Sequence, residues 1–190
     1  YDIRLSLVGS EMCIRVSLYR EPGKAELIAG RIVRFMVTGR KPNTVAGNIY
    51  VGLREYAKSV NQGEAHTDMM GYSVPLLSNG RQSFCPDVSY YVGPFPENEM
   101  RFIEGAPTLA VEVRSECDYA AGAGVAMTQK RTDYFEAGTQ VVWDVDVLDE
   151  CVHVYRIHQP AIRSTFVRGQ NAVAEPALPG WTLSLDRIFE

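Results

Sequence analysis

The stretch Leu109-Ala110-Val111-Glu112-Val113 constrains this chain more than any other. It is an apolar run that reads as a buried strand, with one carboxylate in its middle and a basic residue, Arg114, directly after it. Burying a carboxylate without a partner costs several kcal/mol by order of magnitude, so Glu112 needs a reason to be there. Side chains alternate along a strand, which puts Ala110, Glu112 and Arg114 on one face and the larger Leu109, Val111 and Val113 on the other. Ala110 leaves space beside the carboxylate.

Upstream, Pro86-Asp87-Val88 opens a second β-rich run that continues to Val92, with Asp87, Ser89 and Tyr91 on a common face. The segment from Gly93 to Pro107 is broken by prolines and glycines and reads as a loop. If it returns the chain antiparallel, the two strands are neighbours and Asp87 meets Glu112 at their ends. One or two carboxylates completed by water and phosphate oxygens suit a hard divalent cation such as Mg²⁺.

A basic group is expected from the helix that follows. Val125 to Ala137 has helical character and is closed by Gly138; Met127, Lys130, Arg131 and Tyr134 stand at i, i+3, i+4 and i+7 on one face. A helix packed directly after the Glu112 strand could aim Lys130 at the carboxylates. Taken singly, each residue has a plainer reading. Asp87 after a proline caps a turn, Glu112 pairs with Arg114 or Lys130, Lys130 is a solvated helix residue, and Glu26 is structural. Tyr134 and Trp143 read as core, and His153 as a residue of an exposed strand face. The three histidines lack ligand spacing.

The remainder supplies a scaffold. Ile3–Val8 and Met12–Leu18 alternate like edge strands, and Glu26 to Val37 reads as two short strands hinged at Gly30. Val45, Ile49, Leu53, Ala57 and Val60 mark a helix from Thr44 to Val60, with Asn43 or Thr44 as N-cap and Gly63 just past its end. Asn79-Gly80 is a hairpin turn between Val74–Leu77 and Gln82–Phe84. Strands follow at Val141–Val145, Cys151–Ile157 and Arg163–Val167, then a short helix from Leu183 to Phe189. The order predicts one α/β or α+β domain over residues 1–190 around a mixed sheet, with residues 1–20 as extra N-terminal strands.

A chain of 190 residues, 46% hydrophobic, can bury a sizeable core. No apolar run approaches the roughly 20 residues that span a bilayer, and Tyr1-Asp2-Ile3-Arg4 lacks a signal-peptide layout. Four separated cysteines without a C-x-x-C pair suggest neither zinc nor a disulfide framework, so a reduced, cytoplasmic setting is expected. The net charge of −4 argues against tight non-specific binding to nucleic acid, although carboxylates that hold a cation are offset by it.

In order along the chain stand Glu26-Leu-Ile-x-Gly30, Pro86-Asp87-Val88, Gly105-Ala-Pro-x-Leu-Ala-Val-Glu112-Val-x-Ser115, Lys130-x-x-x-Tyr134-x-x-x-Gly138, Val142-Trp143-x-Val145-Asp146 and Leu178-Pro-Gly. This set resembles the Uma-two family, bacterial proteins of the PD-(D/E)XK nuclease superfamily that carry a restriction-endonuclease description. The resemblance runs from about Glu26 to Phe189 and implies a restriction-endonuclease-like core over residues 26–189. It further implies a Mg²⁺ or Mn²⁺ ion held by Asp87, Glu112 and the Val113 backbone carbonyl, with Glu26 near the same site and Lys130 as the catalytic lysine. The chain departs from the family pattern at Asn43, where a histidine is usual, at Glu116, where a proline is usual, and at Arg114, where an apolar residue is usual.

The function so implied is a metal-dependent endodeoxyribonuclease with Asp87, Glu112 and Lys130 as catalytic residues, acting on double-stranded DNA, with a homodimer suggested by the two strands to be cut. The acidic charge and the departures favour a different class: a catalytically silent nuclease-like fold serving binding or assembly. Arg114 has three readings, as a brace for Glu112, a phosphate contact, or a competitor of the metal.

Overall fold

The architecture follows from where the chain can hide Leu109–Val113. A computed structural model describes residues 16–190. A hairpin of β1 (Ala25–Ile28) and β2 (Arg31–Arg34) comes first, then helix α1 (Arg40–Val60) and strand β3 (Glu64–Thr67). Short strands β4 (Tyr72–Ser73) and β5 (Ser83–Phe84) precede β6 (Val88–Tyr91), β7 (Ile103–Glu104) and β8 (Leu109–Val113). A 3₁₀ turn at Glu116–Tyr119 leads into helix α2 (Ala123–Glu136). The chain ends with β9 (Val141–Asp146), β10 (Cys151–Arg156), β11 (Gln159–Val167), β12 (Asn171–Val173), β13 (Thr182–Ser184) and the short helix α3 (Leu185–Ile188).

A six-stranded mixed sheet, ordered β11-β10-β9-β8-β6-β3, is the frame. β8 lies next to β6 antiparallel, as the loop-return argument requires, in the register Val88↔Val111 and Ser89↔Ala110. On its other side β8 pairs with β9 in parallel. A parallel pair cannot be closed by a tight turn and needs a crossover segment. Here α2 is that crossover, which is why its side chains arrive over β8.

The two faces of the sheet hold different cores. Val88, Tyr90, Leu109, Val111, Trp143 and Val145 pack on one side with α1, α3 and the β12–β13 hairpin, where Trp143 stacks on Trp181 at 5.3 Å. Ala110, Tyr91 and Val142 face the other way, toward Tyr72, Phe84 and Tyr134 of the small β5-β4-β7 sheet and α2. Glu112 belongs to this second, smaller face, since its register partner Asp144 shares the parity of Val142.

Several sequence expectations change. Of the two edge strands expected before residue 20, Ile3–Val8 lies outside the described residues, and residues 16–18 are helical. Helix α1 begins at Arg40, four residues early, with Gly39 as N-cap and no side-chain cap. Pro42 does not prevent this, because N–H groups in the first helical turn have no intrahelical partner to lose. His153 is buried rather than on an exposed face, its Nδ1 3.0 Å from Thr165 Oγ1 across the β10–β11 pair. None of the helices of the described residues is long and apolar enough to cross a membrane.

At the end of α1, Asn61 caps in the left-handed region (φ 51°) and Gly63 follows at φ +68°. A Cβ on Gly63 would meet the Tyr91 carbonyl oxygen at 2.7 Å and Tyr90 Oη at 2.8 Å. Gly63→Ala combines that overlap with an unfavourable φ and is expected to cost about 1–3 kcal/mol, read as a lower urea midpoint with an unchanged slope.

Candidate active site

The register of β6 against β8 builds the site. One step beyond Val88↔Val111, Asp87 stands opposite Glu112 on the same face of the sheet. Asp87 N–H donates to the Val111 carbonyl at 3.1 Å, and Val113 N–H donates to Asp87 Oδ2 at 2.7 Å. That second bond fixes the carboxylate and turns Oδ1 outward. Oδ1 is 2.5 Å from Lys24 Nζ.

Glu112 is engaged from α2. Lys130 Nζ donates to Glu112 Oε2 at 2.9 Å, and Tyr134 Oη donates to Oε1 at 2.6 Å. Lys130 and Tyr134 are one helical turn apart, so a single face of α2 supplies both. Tyr134 is fully buried and stacks on Phe84 at 4.2 Å, which locks its ring. Burial, with Asp87 close by, pushes the Glu112 carboxyl above its ordinary range even though Lys130 opposes the shift. Burial disfavours a charged Lys130, but Glu112 and Glu26 outweigh it and hold the ammonium protonated.

Glu26, on β1, completes the set. It is wholly inaccessible, and its Oε1 lies 3.1 Å from Lys130 Nζ and accepts the Cys85 N–H at 3.0 Å. Arg81 donates to its other oxygen and, through Nε, to Asp133 on α2 at 2.7 Å. The hairpin reaches this position because β1 bonds to the Gly80–Gln82 segment, through Ala29 N–H to the Gly80 carbonyl (2.7 Å) and Gln82 N–H to the Leu27 carbonyl (2.8 Å). Carboxylates thus alternate with cations in a chain running Asp133, Arg81, Glu26, Lys130 and Glu112.

The structure therefore brings all four predicted side chains, Glu26, Asp87, Glu112 and Lys130, into one neighbourhood, beside the backbone of Val113. Arg114 is not among them. It forms a bidentate pair with Asp144 at 2.8 and 2.9 Å and reaches Asp146 at 2.5 Å, tying the end of β8 to β9. Tyr119 Oη donates to Asp146 at 2.8 Å beside it. Arg114 is therefore not a brace for Glu112; it braces aspartates of the neighbouring strand. Glu116 takes the first position of the 3₁₀ turn, which Ser115 and Asp118 close with a capping box.

Lys24 and Arg81 are contacts that the sequence reading left out. Tyr134, placed there on the Lys130 face and read as core, is buried as expected and also donates to Glu112. Lys24 and Arg81 sit in turns, where no periodicity marks a side chain that points inward.

Among the described residues, no three His, Cys, Asp or Glu side chains are grouped to hold a metal ion. The carboxylates of Asp87, Glu26 and Glu112 are each turned to an ammonium or guanidinium. The donor set nonetheless fits a hard cation. Asp87 Oδ1 already carries a positive charge at contact distance, and Glu112 lies opposite it, exposed over 20% of its side chain.

Burial would raise the Glu26 carboxyl, but Lys130 and then Arg81 overcome it and hold it below its ordinary value near 4.5. A depressed folded value means stability that is fully present above the unfolded value and is lost as pH falls through the folded one. Glu26→Gln is expected to cost about 3–5 kcal/mol at pH 7 by stranding two buried cations. In urea titrations at descending pH, the gap to the wild type should narrow below about pH 4.5, as the wild type loses that contribution.

Comparison with known proteins places the chain. No curated protein matches it. A crystal structure from Anabaena variabilis ATCC 29413, described as "a putative nuclease belonging to DUF820", superposes with a TM-score of 0.71. It is 20% identical, and the match covers 92% of this chain and 96% of that one, a likeness of fold. The family model described as "Putative restriction endonuclease" matches residues 13–186, nearly the whole chain, and the protein belongs to that family, Uma2.

Proposed function

We propose that this protein is a divalent-metal-dependent endodeoxyribonuclease with double-stranded DNA as substrate. The observation that carries the reading is the pairing of Asp87 with Glu112 across adjacent strands, with Lys130 Nζ 2.9 Å from Glu112. Family membership supports the reaction class. Asp87 and Glu112, with the Val113 backbone carbonyl at the strand end, are the groups that would hold Mg²⁺ or Mn²⁺. The bound ion would supply Lewis-acid polarisation of the scissile phosphate and a water nucleophile at neutral pH.

The chain's own groups do the rest. Val113 N–H fixes the Asp87 carboxylate, and Tyr134 fixes that of Glu112. Lys130 stays protonated and sits beside the carboxylates, where it stabilises negative charge growing on the phosphoryl oxygens. Glu26 positions Lys130 from behind and touches no substrate. A homodimer would present two such sites to the two strands of a duplex.

The matched lysine–carboxylate contacts favour a second reading, a nuclease-like fold without catalysis that serves binding. Supercoiled plasmid incubated with Mg²⁺ or Mn²⁺ separates the two. Wild-type protein is expected to nick and linearise it, Asp87→Ala and Glu112→Ala to abolish cleavage, and Lys130→Ala to slow it by about 10²–10³-fold. Cleavage undiminished in both carboxylate variants would remove the assignment. A wild type without metal-dependent cleavage or Glu112-dependent Mn²⁺ binding would leave the binding module.

A further inference from the structure

Lys24 is the residue of this site with no assigned part. It lies just before β1, and its backbone carbonyl accepts the Phe35 N–H at 2.9 Å, so the base of the β1–β2 hairpin sets its position. Its side chain is only 12% exposed, and its Nζ stands 2.5 Å from Asp87 Oδ1 and 2.9 Å from Asp68 Oδ1. Asp68 is far more open, with 45% of its side chain exposed. A cleft lined by Thr38, Asn43, Asp68, Asp87 and Val113 opens onto the same pair of carboxylates.

The Lys24 ammonium bridges two carboxylates of unequal exposure at once. Asp87 Oδ1 is the oxygen of that carboxylate not taken by the backbone, and so the one left for an incoming cation to compete for. A divalent ion bound there competes with the ammonium for the same oxygen and repels it. Asp68 already holds the same ammonium at 2.9 Å and can keep it paired once it leaves Asp87.

We propose that Lys24 is the resident counter-ion of the Asp87/Glu112 pair, holding the cation position on Asp87 and releasing it, while keeping its contact with Asp68, when a divalent ion binds. The inference rests on the reading of Asp87 and Glu112 as the cation-holding pair. It makes metal occupancy an exchange of one cation for another. Apparent affinity is then reduced by the fraction of molecules in which Lys24 has vacated Asp87.

Calorimetric titration with Mn²⁺ tests this without any activity measurement. Lys24→Met is expected to bind Mn²⁺ at least about tenfold more tightly than the wild type, corresponding to Lys24 occupying Asp87 in nine molecules of ten or more. The gain should vanish in Lys24→Met/Asp87→Asn. Lys58→Met, at the opposite end of α1 and exposed, removes the same charge remotely and should leave affinity unchanged. Because Lys24→Met strands a carboxylate, melting is followed as well: Mn²⁺ should raise the melting temperature of the variant more than that of the wild type. If both bind Mn²⁺ through Glu112 with equal affinity, or the variant binds more weakly, Lys24 is not the counter-ion, although the cation-holding pair survives. If neither binds Mn²⁺ through Asp87, the pair itself is wrong and the exchange falls with it.

Discussion

A glutamate in the middle of a buried strand is the constraint on which this structure turns. Glu112 has buried neighbours on both sides along β8, and its carboxylate would be untenable there unless matched. The match is made by one face of α2, through an ammonium and a phenol at 2.9 and 2.6 Å. Lys130 is in turn too buried to stand on Glu112 alone, and Glu26 shares it. Glu26 needs Arg81, and Arg81 needs Asp133 on the same helix as Lys130. Each buried charge makes the next one necessary until the chain of pairs closes back on α2. A network of this kind is tolerable only when every member is satisfied.

Most of the central sheet and its two main helices were legible because they obey periodicities. The apolar run at Leu109–Val113, the period-two run from Asp87 and the helical spacing in α1 and α2 all fell where the structure has them. Glu112 was legible as an anomaly: a charge inside an apolar run has few explanations. Its true neighbours were harder to find. Arg114 has the right spacing to brace Glu112 but lies one pleat too far along, where Asp144 and Asp146 present two carboxylates on the next strand. Strand order decides that competition, and strand order is not written locally.

The turn residues mark the deeper limit. Lys24 and Arg81 are flanked by Gly23 and Gly80, both at positive φ, and such segments ordinarily face solvent. Here β1 docks against the Gly80–Gln82 segment, and the docking buries what lies in between. β3, β4 and β7 are two to four residues long, too short for a periodic pattern to mark them. His153 shows the same effect in reverse, a polar residue on a strand whose second neighbour, β11, closes over it.

The single parallel pair in the sheet has one more consequence, in the order of assembly. Because α2 must bridge β8 and β9, Glu112 and Lys130 are only 18 residues apart in sequence, and Glu112 and Tyr134 only 22. The contacts of the N-terminal hairpin segment with Arg81, Cys85 and Asp87 span 55 to 63 residues, and that of Glu26 with Lys130 spans more. Closing the longer loops carries the greater entropic cost. The β8–α2–β9 unit can therefore form its half of the site early and on its own, whereas the hairpin half waits for the N-terminal segment to dock. The site has a local half that belongs to the sheet and a remote half delivered to it, and the seam between them runs through Lys130.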